Sequence, residues 1–259
     1  MNKIRMFAVA AIAAVSMSAT AQVTYGNDYS YKPTSSRIYG SDNENFGLLY
    51  VQFSPSKMHS KVSFNGKSES DSESVNVLSV GYTYNIALGE DLPLYLSPGG
   101  AIQWFFKSKK EKISDQYYDY GDILPSDYSF NYEYTNKFNM ISIKIPVTVM
   151  YSFELGEAFR IEPYAGVYGR VNLWAEQKTT SDYGSSKVNP FDKKEMGDEH
   201  VWKRIQAGWT AGVNFRITNA FTVGAGYYMD LLKLADYKEG SYKASSHFDG
   251  FDITLGVNF

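Results

Sequence analysis

The sequence predicts an all-β protein: a transmembrane, antiparallel, up-and-down β-barrel of eight strands, with ten as the alternative. Three observations predict it. Apolar and polar residues alternate strictly along several segments, so each segment has two unlike faces. The links between segments alternate short and long, the pattern of tight turns on one side of a membrane and large loops on the other. The non-apolar faces carry mostly Gly, Ser, Thr, Asn and Tyr with a few charges of both signs, which suits a narrow lumen better than the wet face of a sandwich.

The final segment is the clearest strand. In FDITLGVNF, residues 251–259, Phe251, Ile253, Leu255, Val257 and Phe259 are apolar, while Asp252, Thr254, Gly256 and Asn258 are polar or small. Segment 220–232 turns Phe221, Val223, Ala225, Tyr227, Met229 and Leu231 to lipid, and 204–217 does the same with alternate residues from Ile205 to Ile217. Segments 160–175 (Ala165, Val167, Gly169, Val171, Leu173) and 138–153 (Ile141 to Phe153) follow the rule. Weaker strands lie near 94–107, 75–88 and 46–54, the last with ambiguous facing.

The short links are Gly89-Glu90-Asp91, Gly156-Glu157 and Thr218-Asn219, all with turn residues. The long ones, about 55–74, 108–137, 176–202 and 234–249, read as polar loops. Tyr84, Tyr151, Phe153, Phe159, Phe215, Phe221 and Phe259 sit beside the short turns and predict one interfacial belt. Trp104, Phe106 and Phe251 fall at the opposite ends.

The N-terminus predicts export. A basic start with Lys3 and Arg5, the apolar run from Met6 to Val15 and Ala19-Thr20-Ala21 read as a signal peptide cleaved after Ala21. The expected organisation is a signal peptide at 1–21, a periplasmic tail at 22–45 and the barrel at 46–259. The chain has no Cys, so an exported protein of this kind holds together by packing or closure. A formal charge of -3 gives no reason to expect a nucleic-acid partner.

Strand parity points Lys144, Glu162, Arg170, Arg204, Arg216, Asp230 and Asp252 into the lumen. An eight-stranded interior is filled by side chains, so these charges are expected to pair and brace it. Arg204 with Asp230 or Asp252, and Glu162 with Lys144 or Arg170, are the expected pairs. Inward Gly166, Gly208, Gly212, Gly224, Gly226 and Gly256 are expected to make room for Tyr164, Tyr168 and Tyr228.

No HExxH, GxSxG or phosphate-binding loop occurs, and no catalytic, cofactor or metal residue is expected. His59, His200 and His247 all fall in the expected loops, and His247 beside Ser245, Ser246 and Asp249 is read as loop rather than catalytic site. The loops carry an acidic run at 67–73, a basic run at 107–112 and a Tyr-rich stretch with Tyr117, Tyr118, Tyr120, Tyr128, Phe130, Tyr132 and Tyr134. Such a stretch fits either an extracellular partner or a hairpin above the membrane.

A terminal aromatic on an alternating last strand resembles the signal by which bacterial outer-membrane barrels engage the barrel-assembly machinery, here Phe251, Ile253, Leu255, Val257 and Phe259. The stretches IKIPVTVMYSFE, IEPYAGVYGRV and AFTVGAGYYMDLL resemble the small OmpA/OmpX-like and porin-family barrels. That resemblance implies residence in the bacterial outer membrane, in contact with its lipid. The expected role is a plugged barrel acting structurally or through its surface loops. A narrow channel for small solutes is the alternative, and a lipid-modifying enzyme the second alternative.

Overall fold

A computed structural model describes residues 44–89, 92–115, 130–156, 158–196 and 202–259. The expected signal peptide and nearly all of the expected tail lie outside these residues, as do Tyr117, Tyr118, Tyr120, Tyr128 and His200.

Eight long strands form the wall: β1 (Phe46–Phe64), β2 (Lys67–Ala87), β3 (Leu94–Asp115), β4 (Phe130–Tyr151), β6 (Phe159–Ser181), β8 (Ile205–Ile217), β9 (Phe221–Asp230) and β11 (Tyr242–Asn258). Each is antiparallel to its neighbours, and β1 pairs with β11, which closes the ring. Backbone bonds between Gly47 and Phe259 seal that seam at its lower end, at 2.7 and 3.0 Å. Three short strands complete the fold: β5 (Phe153–Glu154) and β7 (Gly184–Val188) pair with β6, and β10 (Ala235–Glu239) pairs with β11.

Alternation has the predicted sense. Ile145, Val167, Phe221, Phe251, Ile253 and Leu255 face outward and are more than half exposed. Their partners in the alternation, such as Ser142, Thr222 and Asp252, are buried inside. A helix requires no place in this scheme, because the ring itself pairs every wall strand and leaves no open edge. Val257 is an exception on the last strand: it is buried, at 4% exposure, beside Leu49 and Phe221 in register.

The aromatic belts follow. At the turn end, Tyr84, Tyr151, Phe153, Phe215, Phe221 and Phe259 are exposed, and Tyr82 stacks on Phe259 at 5.9 Å. At the outer end, Trp104 meets Phe106 at 4.9 Å, and Tyr227 touches both Trp209 and Phe251. A bulge adds to the outer belt: opposite Ile141 and Ser142 the register of β6 skips Leu173. Both Leu173 and Trp174 therefore turn outward, and Ala175 turns in.

The expected long loops need correction. Residues 55–74 are not a loop: β1 and β2 run on as a ladder to a two-residue turn at Asn65-Gly66, whose φ values of 47° and 80° suit a primed hairpin turn. β3 and β4 likewise pair as far as Asp115 and Phe130. Ser181 and Gly184 end a hairpin of β6 with β7, and β10 with β11 makes another. The outer side is thus a palisade of hairpins that continues the barrel wall.

Glycines set the fit of the lumen. A Cβ on Gly208 would lie 2.4 Å from the Tyr168 hydroxyl oxygen and 2.3 Å from the carbonyl oxygen of Met229. On outward Gly100 it would meet nothing within 4 Å. We expect Gly208→Ala to lower the urea midpoint of folding by an amount equivalent to about 1–3 kcal/mol. Gly100→Ala should leave it unchanged, and equal midpoints for the two would refute the tight fit.

Candidate functional site: the capped lumen

From the turn end upward, the lumen holds stacked polar layers under an apolar lid. Lowest is Arg216, on β8, whose guanidinium lies 2.5 Å from the Glu162 carboxylate of β6. Ser152 donates to the same carboxylate at 3.2 Å, and Phe46 covers the guanidinium at 4.1 Å. Above lies a cavity of about 80 Å³, lined by Tyr50, Gln52, Tyr164, Thr210, Asn214 and Thr254 among others, with room for ordered water.

Lys144 of β4 and Asp252 of β11 form the roof of that cavity. Ser54 donates to Asp252 at 2.5 Å. The Lys144 ammonium lies 4.5 Å from the ring of Tyr168 and 5.0 Å from that of Tyr228, where the ring faces offset part of its desolvation.

The next layer is Arg170 of β6 with Asp230 of β9. The guanidinium binds the Asp230 carboxylate and the Gln206 side-chain oxygen, and both charged side chains are at most 1% exposed. Tyr168 donates to the second carboxylate oxygen at 2.6 Å. Phe105 and Phe248 lie 5.0 and 5.5 Å above the Arg170 guanidinium.

Those two rings begin the lid. Val75, Val77, Phe105, Phe138, Met140 and Phe248 converge from the wall strands, and Phe191 and Leu234 join them from the connections. Trp202 packs against this cluster. Backbone bonds lace the connections together: Trp202 to Pro190, Lys203 to Leu234 and Leu234 to Ser246, at 2.9, 2.7 and 2.7 Å. The barrel interior is therefore polar and charged below and a hydrophobic core above.

Six of the seven predicted lumen charges are buried: Lys144, Glu162, Arg170, Arg216, Asp230 and Asp252. Arg204 is not. β8 begins only at Ile205, so the inward parity does not reach Arg204. Its guanidinium instead bonds the carbonyls of Asn172 and Leu173 at 3.3 and 2.8 Å and stacks on Phe191 at 4.8 Å. The pairs also differ from expectation: Glu162 takes Arg216, and Asp230 takes Arg170. Register explains this, because Tyr168 sits opposite Gly208 and Gly208 opposite Asp230, which brings the ends of Arg170 and Asp230 to one height.

One addition and one correction concern the outer hairpins. The basic run is balanced locally: Lys107 meets Glu73 of β2 at 2.7 Å, Lys109 meets Glu111 of its own strand at 2.6 Å, and Lys110 and Lys112 share Glu133 of β4. Lys109 and Tyr134 beside it hold the Glu111 carboxyl below its usual range. His59 and His247 are strand residues of β1 and β11, not loop residues.

A closed antiparallel barrel with a lipid-facing apolar band, two aromatic girdles and a filled polar lumen is an outer-membrane barrel. The sequence profile of the outer membrane protein beta-barrel domain matches residues 41–236, and the chain belongs to that family. No curated protein matches. Among solved structures it is similar to Ail, the attachment invasion locus protein of Yersinia pestis, at 14% identity over 83% of this chain and 99% of that one, TM-score 0.29. It is also similar to OprG of Pseudomonas aeruginosa (10%, 86% and 99%, TM-score 0.40) and to the outer membrane protease OmpT of Escherichia coli (11%, 88% and 99%, TM-score 0.37).

Proposed function

We propose that the protein is a plugged, non-conducting outer-membrane barrel that acts at the cell surface through its outer hairpins. The observation that supports this most is the lid: Phe105, Phe138, Met140, Phe248 and Leu234 meet above the buried Arg170–Asp230 pair. A hydrated ion passing between those side chains must leave its water, and an apolar lining does not offset that cost.

The outer hairpins supply the working surface. Their charges balance locally, so a purely electrostatic partner is disfavoured, and exposed Phe64 near the tip of the first hairpin offers an apolar anchor. A protein or glycan of mixed polarity suits such a surface. Assembly would run through the C-terminal strand with Phe259, engaging the barrel-assembly machinery.

Single-channel recording on the folded protein in a planar bilayer tests the reading. We expect no steady conductance, with heat-modifiable gel migration proving closure. Reproducible openings whose ion selectivity changes in Glu162→Gln would overturn it in favour of a narrow pore.

A further inference from the structure

We propose that Ser72, His59 and Asp249 form a hydrolytic triad on the outer wall of the barrel, directed at acyl esters of membrane lipid. The three come from three adjacent strands. β1 lies between β2 and β11, and the register sets His59 opposite Ser72 on one side and opposite His247 on the other. Asp249 is two residues below His247. The hydrogen bonds are direct: Ser72 Oγ to His59 Nδ1 at 2.8 Å, and His59 Nε2 to Asp249 Oδ1 at 2.7 Å. The other carboxylate oxygen accepts from the Tyr227 hydroxyl, which fixes its orientation.

The hydrogen-bond donors and acceptors assign the proton. An ionised carboxylate only accepts, so His59 Nε2 carries the hydrogen. In the neutral imidazole Nδ1 then presents its lone pair, and the Ser72 hydroxyl donates to it. That is the arrangement of an activated nucleophile: a hydroxyl on a base that is itself oriented by an acid. The ring nitrogens are used in the opposite order from the serine-protease template, and the roles are the same. His247 stacks on His59 at 5.1 Å and holds the ring plane.

Position selects the substrate class. All three side chains are on the outward face, since Ser56, Val75 and Phe248, at inward parity, are buried. Phe251, the last lipid-exposed aromatic on β11, is 65% exposed and two residues below Asp249. The His59–His247 pair therefore stands roughly 10 Å above Phe251 along tilted strands, in the zone where lipid headgroups and their ester bonds lie. Lys57 and Lys61 flank His59 on the same face and are exposed, placed to meet a phosphate or a developing oxyanion.

The step balances. Ser72 Oγ attacks the acyl carbonyl carbon while its proton passes to His59. The ester C–O bond breaks, and the departing alkoxide takes that proton and leaves as the alcohol. Water then attacks the acyl-serine, giving its proton to His59 and on to Ser72 Oγ. The net change is ester plus water to fatty acid plus alcohol. Ser246, which sequence places beside His247, is buried at inward parity and accepts from the Ala235 amide at 3.2 Å. It takes no part.

The test is independent of whether the lumen conducts. The folded protein is treated with a fluorophosphonate and mapped by mass spectrometry, with Ser72→Ala, His59→Gln and Ser70→Ala beside it. We expect an adduct on Ser72 in the parent and in Ser70→Ala, and labelling down about 10³-fold or more in His59→Gln. No adduct on Ser72, or one that ignores His59, would overturn the triad. The same proteins in vesicles of phosphatidylethanolamine and lipopolysaccharide read the substrate class. Fatty acid release lost in Ser72→Ala upholds a lipid ester, and no release above that variant overturns the lipid assignment.

Discussion

Replacing Arg170 with Met is expected to cost about 3–5 kcal/mol, because it strands the Asp230 carboxylate in a buried site under the apolar lid. Asp230 is 2% exposed and lies under Phe105 and Phe248, so solvent cannot compensate the lost guanidinium. Tyr168 and the Phe248 amide would remain as its donors, at 2.6 and 3.4 Å, and a carboxylate there needs more than those. Urea titration of the refolded barrel, followed by heat-modifiable migration, measures the loss. The double replacement Arg170→Met with Asp230→Leu should recover most of it, since two apolar side chains extend the lid downward. Arg204→Ala provides the contrast. Its guanidinium caps two carbonyls at the exposed rim, and a change within about 0.5 kcal/mol is expected. If Arg170→Met were as mild as Arg204→Ala, the pair would not be bracing the barrel.

The difference between those two arginines also shows where the sequence was legible and where it was not. Inside a regular stretch of strand, away from bulges and ends, period-2 parity carries facing, so Arg170, Glu162 and Asp252 could be read as inward from position alone. Parity holds only while the strand lasts. Arg204 is one residue before β8, where the chain bends, and position then says nothing about direction. Which charges pair was likewise hidden, because register between strands depends on turns and on the bulge at Leu173, not on any one strand's pattern.

The outer hairpins are illegible in the sequence for a different reason. There the outward face meets water rather than lipid, so the strands lose their apolar signature and look like loops. Asn65-Gly66 was the remaining local signal, since that dipeptide is the preferred hairpin turn. The lid was hidden in the same way. Along β4 the inward face changes from Lys144 and Ser142 to Met140 and Phe138, and along β11 from Asp252 to Phe248. That switch from polar to apolar on one face marks the height at which the barrel stops being a lumen and becomes a core. The His59 site was beyond sequence altogether. Ser72, His59 and Asp249 are far apart in the chain, and only the closure of β11 onto β1 unites them.

The lipid-facing band gives the second large effect. Ile145→Arg is expected to destabilise the barrel by about 2–4 kcal/mol. Ile145 is 55% exposed and stands midway between Tyr151 in the turn-side belt and Ile141 beside Trp174 near the outer belt. At the middle of the band a guanidinium is farthest from either interface, so snorkelling helps least. Opposite it in register is Gly169, which offers neither a carboxylate nor a hydroxyl. The effect should fade with height on the same strand. Tyr151→Arg lies at the interface, where the same charge costs about 0–1 kcal/mol. Refolding into liposomes along a urea gradient measures both, and the depth profile is the discriminating result. A soluble sandwich would show no such profile, since its outward face would meet water at every height and arginine would be tolerated throughout.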